Sequence, residues 1–95
     1  MWSLTETLET FIDDLEAIRR LKQGDMGGLE TLMGRYQLKA ARAAFLITHN
    51  EAVGQDVVQE TFIHIYQRIN QFDETLPFEP YLMRSIINAS LNAVR

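Results

Sequence analysis

The 95-residue chain has two histidines and no cysteine, so its chemistry must come from carboxylates, hydroxyls, amides and a few bases. Glu60 and His64 stand four apart, a spacing at which two helical side chains share a face and can hold a metal together. His49 and Glu51 make a second pair. Neither pair is joined by another histidine at ligand spacing, so there is no HExxH and no Glu-x-x-His diiron pattern. Ser3, Ser85 and Ser90 lack a GxSxG context, and Gly24 and Gly27-Gly28 form neither a GxGxxG nor a P-loop. Without cysteine, disulfides, thiolate metal sites and cysteine nucleophiles are excluded. No active site can be assembled, and the chain reads as a non-enzyme that needs no cofactor or metal.

Two patterns suit binding instead. On a helix through residues 51–71, the arc opposite Val58 and Ile69 carries Asp56, Glu60, Ile63 and Gln67, flanked by Gln59 and Val53. An apolar centre ringed by charge is the make-up of a docking surface. A solvated face with one exposed isoleucine fits as well, and on periodicity alone it stands ahead. Further on, Phe72, Phe78 and Tyr81 bracket a short polar segment, and Arg84, Asn88, Asn92 and Arg95 follow at spacings of four, four and three. Aromatics beside a loop can stack on unpaired bases, while Arg and Asn bond phosphates and base edges. Core aromatics beside a merely solvated stripe explain the same residues, and again stand ahead when the pattern is taken alone.

The elements that must position these groups are all helical. Ser3 and Glu6 form a capping box for a helix from about Ser3 to Gln23, with Leu8, Ile12, Leu15 and Ile18/Leu21 at helical spacing. Gly24 stops it, and Asp25 caps a second helix over about Met26–Thr48, whose apolar face runs Leu29, Leu32, Met33, Tyr36, Ala40, Ala43 and Ile47. His49-Asn50 breaks that helix, and Asn50 caps a third, about Glu51–Gln71, striped by Val58, Phe62, Ile65 and Ile69. After the irregular Phe72–Pro77 connection, a fourth starts near Phe78 with Pro80 in its first turn, where no amide partner is needed. The expected fold is an all-α compact bundle of about four helices.

Composition sets the outer bounds. At 11.0 kDa there is room for one core, and 46% apolar with 23% charged residues is ordinary for a globular chain. The net charge of −4 is an N-terminal property: residues 1–30 hold seven acids against three bases, and residues 31–95 hold six of each. A neutral remainder can still carry a local basic stripe, because binding follows the field at a surface rather than the total. An acidic start is the opposite of a signal peptide, and the longest apolar run, Ala43–Ile47, is far short of the ~20 residues of a membrane helix. A cytoplasmic protein with no membrane and no small-molecule partner is expected.

From Ile18 to Arg95 the chain resembles conserved region 2 of bacterial RNA polymerase sigma factors of the extracytoplasmic-function type (group 4, sigma-70 family). Gly24-Asp25 with Leu29, Leu32 and Arg35-Tyr36 is similar to the family's opening "GD…L…RY". Asp56-Val57-Val58-Gln59-Glu60-Thr61-Phe62 resembles its "D-x-x-Q-E-T-F" signature, and Phe72-Asp73 follows at the usual distance. Pro77-Phe78-Glu79-Pro80-Tyr81-Leu82, then Ile86 and Asn88-Ala89, resembles "P-F-x-x-W-L…I-A-x-N". Four blocks in order at family spacing make the resemblance specific.

The resemblance implies a transcription initiation module, with core RNA polymerase and the melted minus-ten strand of promoter DNA as partners. Asp56, Gln59, Glu60 and Ile63 would dock on the clamp helices of the largest polymerase subunit. Phe72, Asp73, Glu74, Thr75, Leu76 and Pro77 would capture unpaired bases, and Arg84, Asn88, Asn92 and Arg95 would contact the same DNA. An anti-sigma factor is a frequent further partner in the family. The sequence departs from the pattern with Tyr81 and Tyr66 where tryptophan is usual and Asn92 in place of a frequent aspartate. It also has few bases in the last helix, which implies weak intrinsic affinity for phosphates. Residues 18–95 are expected to form the region 2-like domain. Residues 1–17 form an acidic helical extension that shields the DNA face or meets a partner. The family's second domain, with its helix-turn-helix, is absent after Arg95, so an excised domain is expected. The alternative is a repurposed helical protein–protein interaction module without promoter activity; a metal protein using Glu60 and His64 is a more distant one.

Overall fold

The computed structural model describes residues 3–95, and the first two residues of the expected extension lie outside them. Four helices follow one another: α1 Leu4–Lys22, α2 Gly27–Thr48, α3 Glu51–Gln67 and α4 Phe78–Ala93, with a 3-10 turn Ile69–Gln71 after α3. The body measures 36 × 35 × 19 Å, and its short dimension is that of two helix layers. No strand occurs among the described residues, so the expected all-α bundle is what the chain forms. No described helix is long and apolar enough to cross a membrane.

α2 is the central element and packs against each of the other three helices. Its Leu32, Tyr36, Ala40 and Ala44 are buried and meet Val57, Val58, Phe62 and Ile65 of α3 and Phe78, Leu82 and Ile86 of α4 in one core. α1 comes close to α2 because residue 28 is glycine. A Cβ there would collide with the Ala17 carbonyl oxygen and sit 2.9 Å from the Leu21 nitrogen.

The caps behave as their chemistry demands. Ser3 and Glu6 form the reciprocal capping box, and Asn50 Oδ1 accepts from the Val53 amide at 3.1 Å. Asp25 Oδ1 accepts from the Gly27 amide at 2.9 Å, one residue ahead of the formal cap, Met26. Gly24 takes φ +87, the left-handed value that ends α1.

Two expectations need correction. The first concerns the buried line of α1, which is Asp14, Ala17, Ile18 and Leu21, whereas Leu8 and Ile12 are half exposed at 53% and 51%. The N-terminal half of α1 overhangs the bundle, and the line turns through Asp14 because that carboxylate finds a hydroxyl partner on α2. The second concerns α3, which stops at Gln67 rather than Gln71. Its winding tightens to i→i+3 bonds, Gln71 N to Arg68 O and Phe72 N to Ile69 O, and this turn carries Ile69 and Phe72 into the core.

Candidate nucleic-acid interface and docking face

α3 buries Val57, Val58, Thr61, Phe62 and Ile65, so its 3.6-residue period turns Asp56, Gln59, Glu60 and Ile63 to the surface. Ile63 is 47% exposed. Among the described residues, neither Asp56 nor Glu60 forms an ion pair, whereas Asp13, Asp14, Asp25, Glu74 and Glu79 all do. The α3 carboxylates thus remain open to an outside partner. Beside them, Leu38 and Ala41 of α2 and Gln55, Val58 and Gln59 of α3 line a groove of about 640 Å³. Leu38 and Phe45 lie off the apolar stripe expected for α2 and are exposed, an extension of this face that helical periodicity alone does not reveal.

The Phe72–Pro77 segment is a wound turn. Asp73 Oδ1 accepts from the Thr75 amide at 2.9 Å and from its hydroxyl at 2.7 Å, and the Leu76 amide donates to the Asp73 carbonyl at 3.1 Å. Those two Thr75 donors hold the Asp73 carboxyl below its usual range. Glu74 is tied back to α1 by Arg19 and Lys22, whose hydrogen bonds likewise lower its carboxyl. Phe72 is 8% exposed, with its ring centroid 4.9 Å from Tyr81 and 6.0 Å from Phe78. Among the six loop residues expected to face a strand, Asp73, Thr75, Leu76 and Pro77 are exposed and outside ion pairs and the core, and Asp73 is engaged by Thr75 within the turn. Phe72 supports the loop from beneath because the 3-10 turn drives its ring inward.

Between this loop and α4 lies a cleft of about 510 Å³, lined by Arg68, Gln71, Leu76, Pro77, Tyr81 and Arg84. That is within the size range of small-ligand sites. Among the described residues neither arginine has a carboxylate ion-pair partner, and with Asp73 also in the lining the cleft carries two positive charges against one negative in a protein of net charge −4. Arg68 and Gln71 were not singled out in the sequence. Their place at the cleft depends on the helix ending at Gln67, which apolar spacing through Ile69 conceals. Arg84, Asn88 and Asn92 are exposed along α4, while Arg95 lies beyond its last residue, Ala93, and is not held on that face by the helix.

A second cleft, about 270 Å³, runs between α3 and α4 past Glu60, His64, Arg68 and Tyr81. Arg68 and Tyr81 border both clefts, so the candidate docking arc of α3 and the loop cleft are neighbours. Among the described residues no three metal-ligating side chains come together, at Glu60 and His64 or elsewhere.

The family model of Sigma-70 region 2 matches residues 32–95, more than half of the chain. The RNA polymerase sigma-H factor of Pseudomonas aeruginosa is 30% identical over 79 residues, which is 83% of this chain and 41% of that protein. ECF RNA polymerase sigma factor SigW of Bacillus subtilis is 27% identical over 78 residues, 82% of this chain and 42% of the relative. The ECF RNA polymerase sigma-E factor of Haemophilus influenzae is 32% identical over 81 residues, 85% and 42% respectively. The chain therefore spans about two-fifths of the length of the curated relatives it matches. No solved structure matches it. With the helical bundle, the signature on α3 and these matches agreeing, the chain belongs to the sigma-70 region 2 family, as a domain of the extracytoplasmic-function sigma factor type.

Proposed function

We propose that this domain docks on core RNA polymerase through α3 and reads the melted minus-ten strand of a promoter in the cleft beside the Phe72–Pro77 loop. The observation that carries the reading is the cleft itself: a pre-wound loop faces two arginines that lack ion-pair partners among the described residues. Melting is favoured when extruded bases gain stacking and hydrogen bonds that paired bases cannot make. Tyr81 offers a partly exposed ring, Leu76 and Pro77 apolar contact, and Arg68 and Arg84 charge for phosphates. Asn88 and Asn92 extend the polar track along α4.

The docking arc works differently. Asp56 and Glu60 are exposed acceptors free for basic side chains, Gln59 adds an amide, and Ile63 supplies the apolar centre. In this reading the domain makes and breaks no covalent bond, and residues 18–95 form the working unit.

The test is quantitative binding of the chain to bacterial core RNA polymerase. Asp56→Ala and Glu60→Ala should each weaken binding by roughly 1–3 kcal/mol, the cost of losing a charge-assisted contact. Arg84→Ala and Asn88→Ala should leave core affinity unchanged and reduce promoter opening. Equal affinity in both acidic variants would remove the docking assignment. A folded chain that binds polymerase but no single strand would favour a helical interaction module without promoter activity.

A further inference from the structure

The Phe72–Pro77 loop is held from the far end of the chain. Lys22 Nζ on α1 donates to the Phe72 carbonyl oxygen at 2.8 Å and to Glu74 Oε2 at 3.1 Å. Arg19 Nε, one turn earlier, donates to Glu74 Oε1 at 2.8 Å. The two oxygens of one carboxylate are thus taken by two cations of the same helix. The ammonium that binds the side chain of residue 74 also satisfies the main chain at residue 72. The Lys22 side chain is 20% exposed and that of Glu74 28%, so solvent weakens this pair less than an open surface pair.

The clamp fixes one wall of the cleft. Residues 72 and 74 are drawn toward α1, and between them Asp73 receives the Thr75 amide and hydroxyl. Asp73, Leu76 and Pro77 then line the cleft opposite Tyr81 and Arg84. Cutting the tie leaves a carboxylate without its cations and lets the loop sample other shapes, so a strand must order it on binding. Arg19 and Lys22 lie on α1, ahead of residues 32–95 that the family model matches.

We infer that Lys22, assisted by Arg19, is a positioning residue for the cleft: through Glu74 and the Phe72 carbonyl it sets the loop wall and hence which base the cleft accepts. The inference rests on the strand-reading role proposed above. It gives α1 a part in promoter choice although α1 itself touches no DNA in this reading.

Two readouts on the full chain separate the inference from that role. Amide hydrogen exchange at Thr75 and Leu76 follows the loop alone. Enrichment from a randomised single-stranded DNA pool, by the chain bound to core polymerase, follows base choice. In Lys22→Met and in Glu74→Gln, exchange at both amides should rise about tenfold, base preference should flatten, and core affinity should stay unchanged. Lys22→Arg should restore much of the preference. The double variant should fall short of the sum of the two single changes, because the Lys22–Glu74 bond is common to both. Unchanged exchange in Lys22→Met overturns the inference, as does faster exchange with base preference intact. A wild-type chain that enriches no sequence, whatever its loop does, overturns the strand-reading role and this inference with it.

Discussion

The Tyr36 hydroxyl on α2 donates to Asp14 Oδ2 on α1 within the core, where the two residues are 3% and 4% exposed. This bond, the Arg35 Nε–Asp14 Oδ1 contact at 3.3 Å and the Arg35 Nη2–Asp13 Oδ2 bond at 3.3 Å form the polar joint between the first two helices. The joint sits against the helix that carries Arg19 and Lys22, so it also seats the loop clamp. Among the described residues it is the one place where the fold buries a carboxylate instead of a hydrocarbon, and it bends the buried line of α1 away from Leu8 and Ile12.

Asp14 makes stability depend on pH with a defined sign. Burial pushes its carboxyl up from the ordinary 3.8, against the opposing pull of the Tyr36 hydrogen bond and the Arg35 charge, while Glu79 and Asp13 push the same way as burial. A carboxyl raised in the folded state binds its proton more tightly there than in the unfolded chain. Stability from this group is therefore present at low pH and lost as pH rises from about 3.8 through the raised value. Asp73 and Glu74 have lowered carboxyls, so their contribution runs the other way and is lost only in more acidic solution. In urea melts, the stability of Asp14→Asn relative to wild type should increase between about pH 4 and pH 7. A difference that does not change with pH would mean that the folded and unfolded carboxyls titrate alike.

Ser90 is fully buried in α4, and among the described residues its hydroxyl has no hydrogen-bond partner. An unpaired buried hydroxyl costs stability, and serine is also a poorer helix former than alanine. Ser90→Ala should stabilise the domain by about 1 kcal/mol, read as a higher urea midpoint at unchanged slope. Polymerase affinity should not move, because the proposed docking arc lies on α3 and its side chains point to solvent. A lower midpoint would mean that the hydroxyl is satisfied in solution and that its removal leaves a cavity.

Much of this arrangement was legible in the sequence, for reasons that differ by element. α2, α3 and α4 announced themselves because their buried residues are apolar at 3.6-residue spacing, and Asn50 and Gly24 marked ends by chemistry that few other residues share. The α3 face was legible because a signature and a helical period coincide on Asp56, Gln59 and Glu60. The misread parts have one cause: a neighbour decided them. Leu8 and Ile12 satisfy a helical stripe, yet α1 overhangs the bundle there and leaves them half exposed. Ile69 continues the α3 stripe although the backbone has already tightened into a 3-10 turn. Phe72 looks like a stacking platform until Phe78 and Tyr81 are seen against its ring. The ties from Lys22 to residues 72 and 74 span some 50 positions with no local pattern, so only the fold reveals them.

The sparse basic content of the cleft gives the last prediction its form. Arg84 is the one base within α4 and Arg68 caps α3, and both line the cleft without a carboxylate partner among the described residues. Each phosphate neutralised on a single strand contributes a slope of about −0.7 to the logarithmic dependence of affinity on salt. Two arginines imply a shallow total slope of roughly −1.4, so strand binding should be weak and only mildly salt-sensitive. Arg68→Ala and Arg84→Ala should each reduce that slope by about 0.7, with affinity falling similarly for favoured and unfavoured sequences. Tyr81→Ala should instead lower affinity at every salt concentration without altering the slope, because stacking releases no counterions. Titration of single strands into the polymerase-bound chain at several salt concentrations measures all three. A steep slope that neither arginine changes would move the phosphate contacts away from this cleft, and with them the assignment of the strand's path.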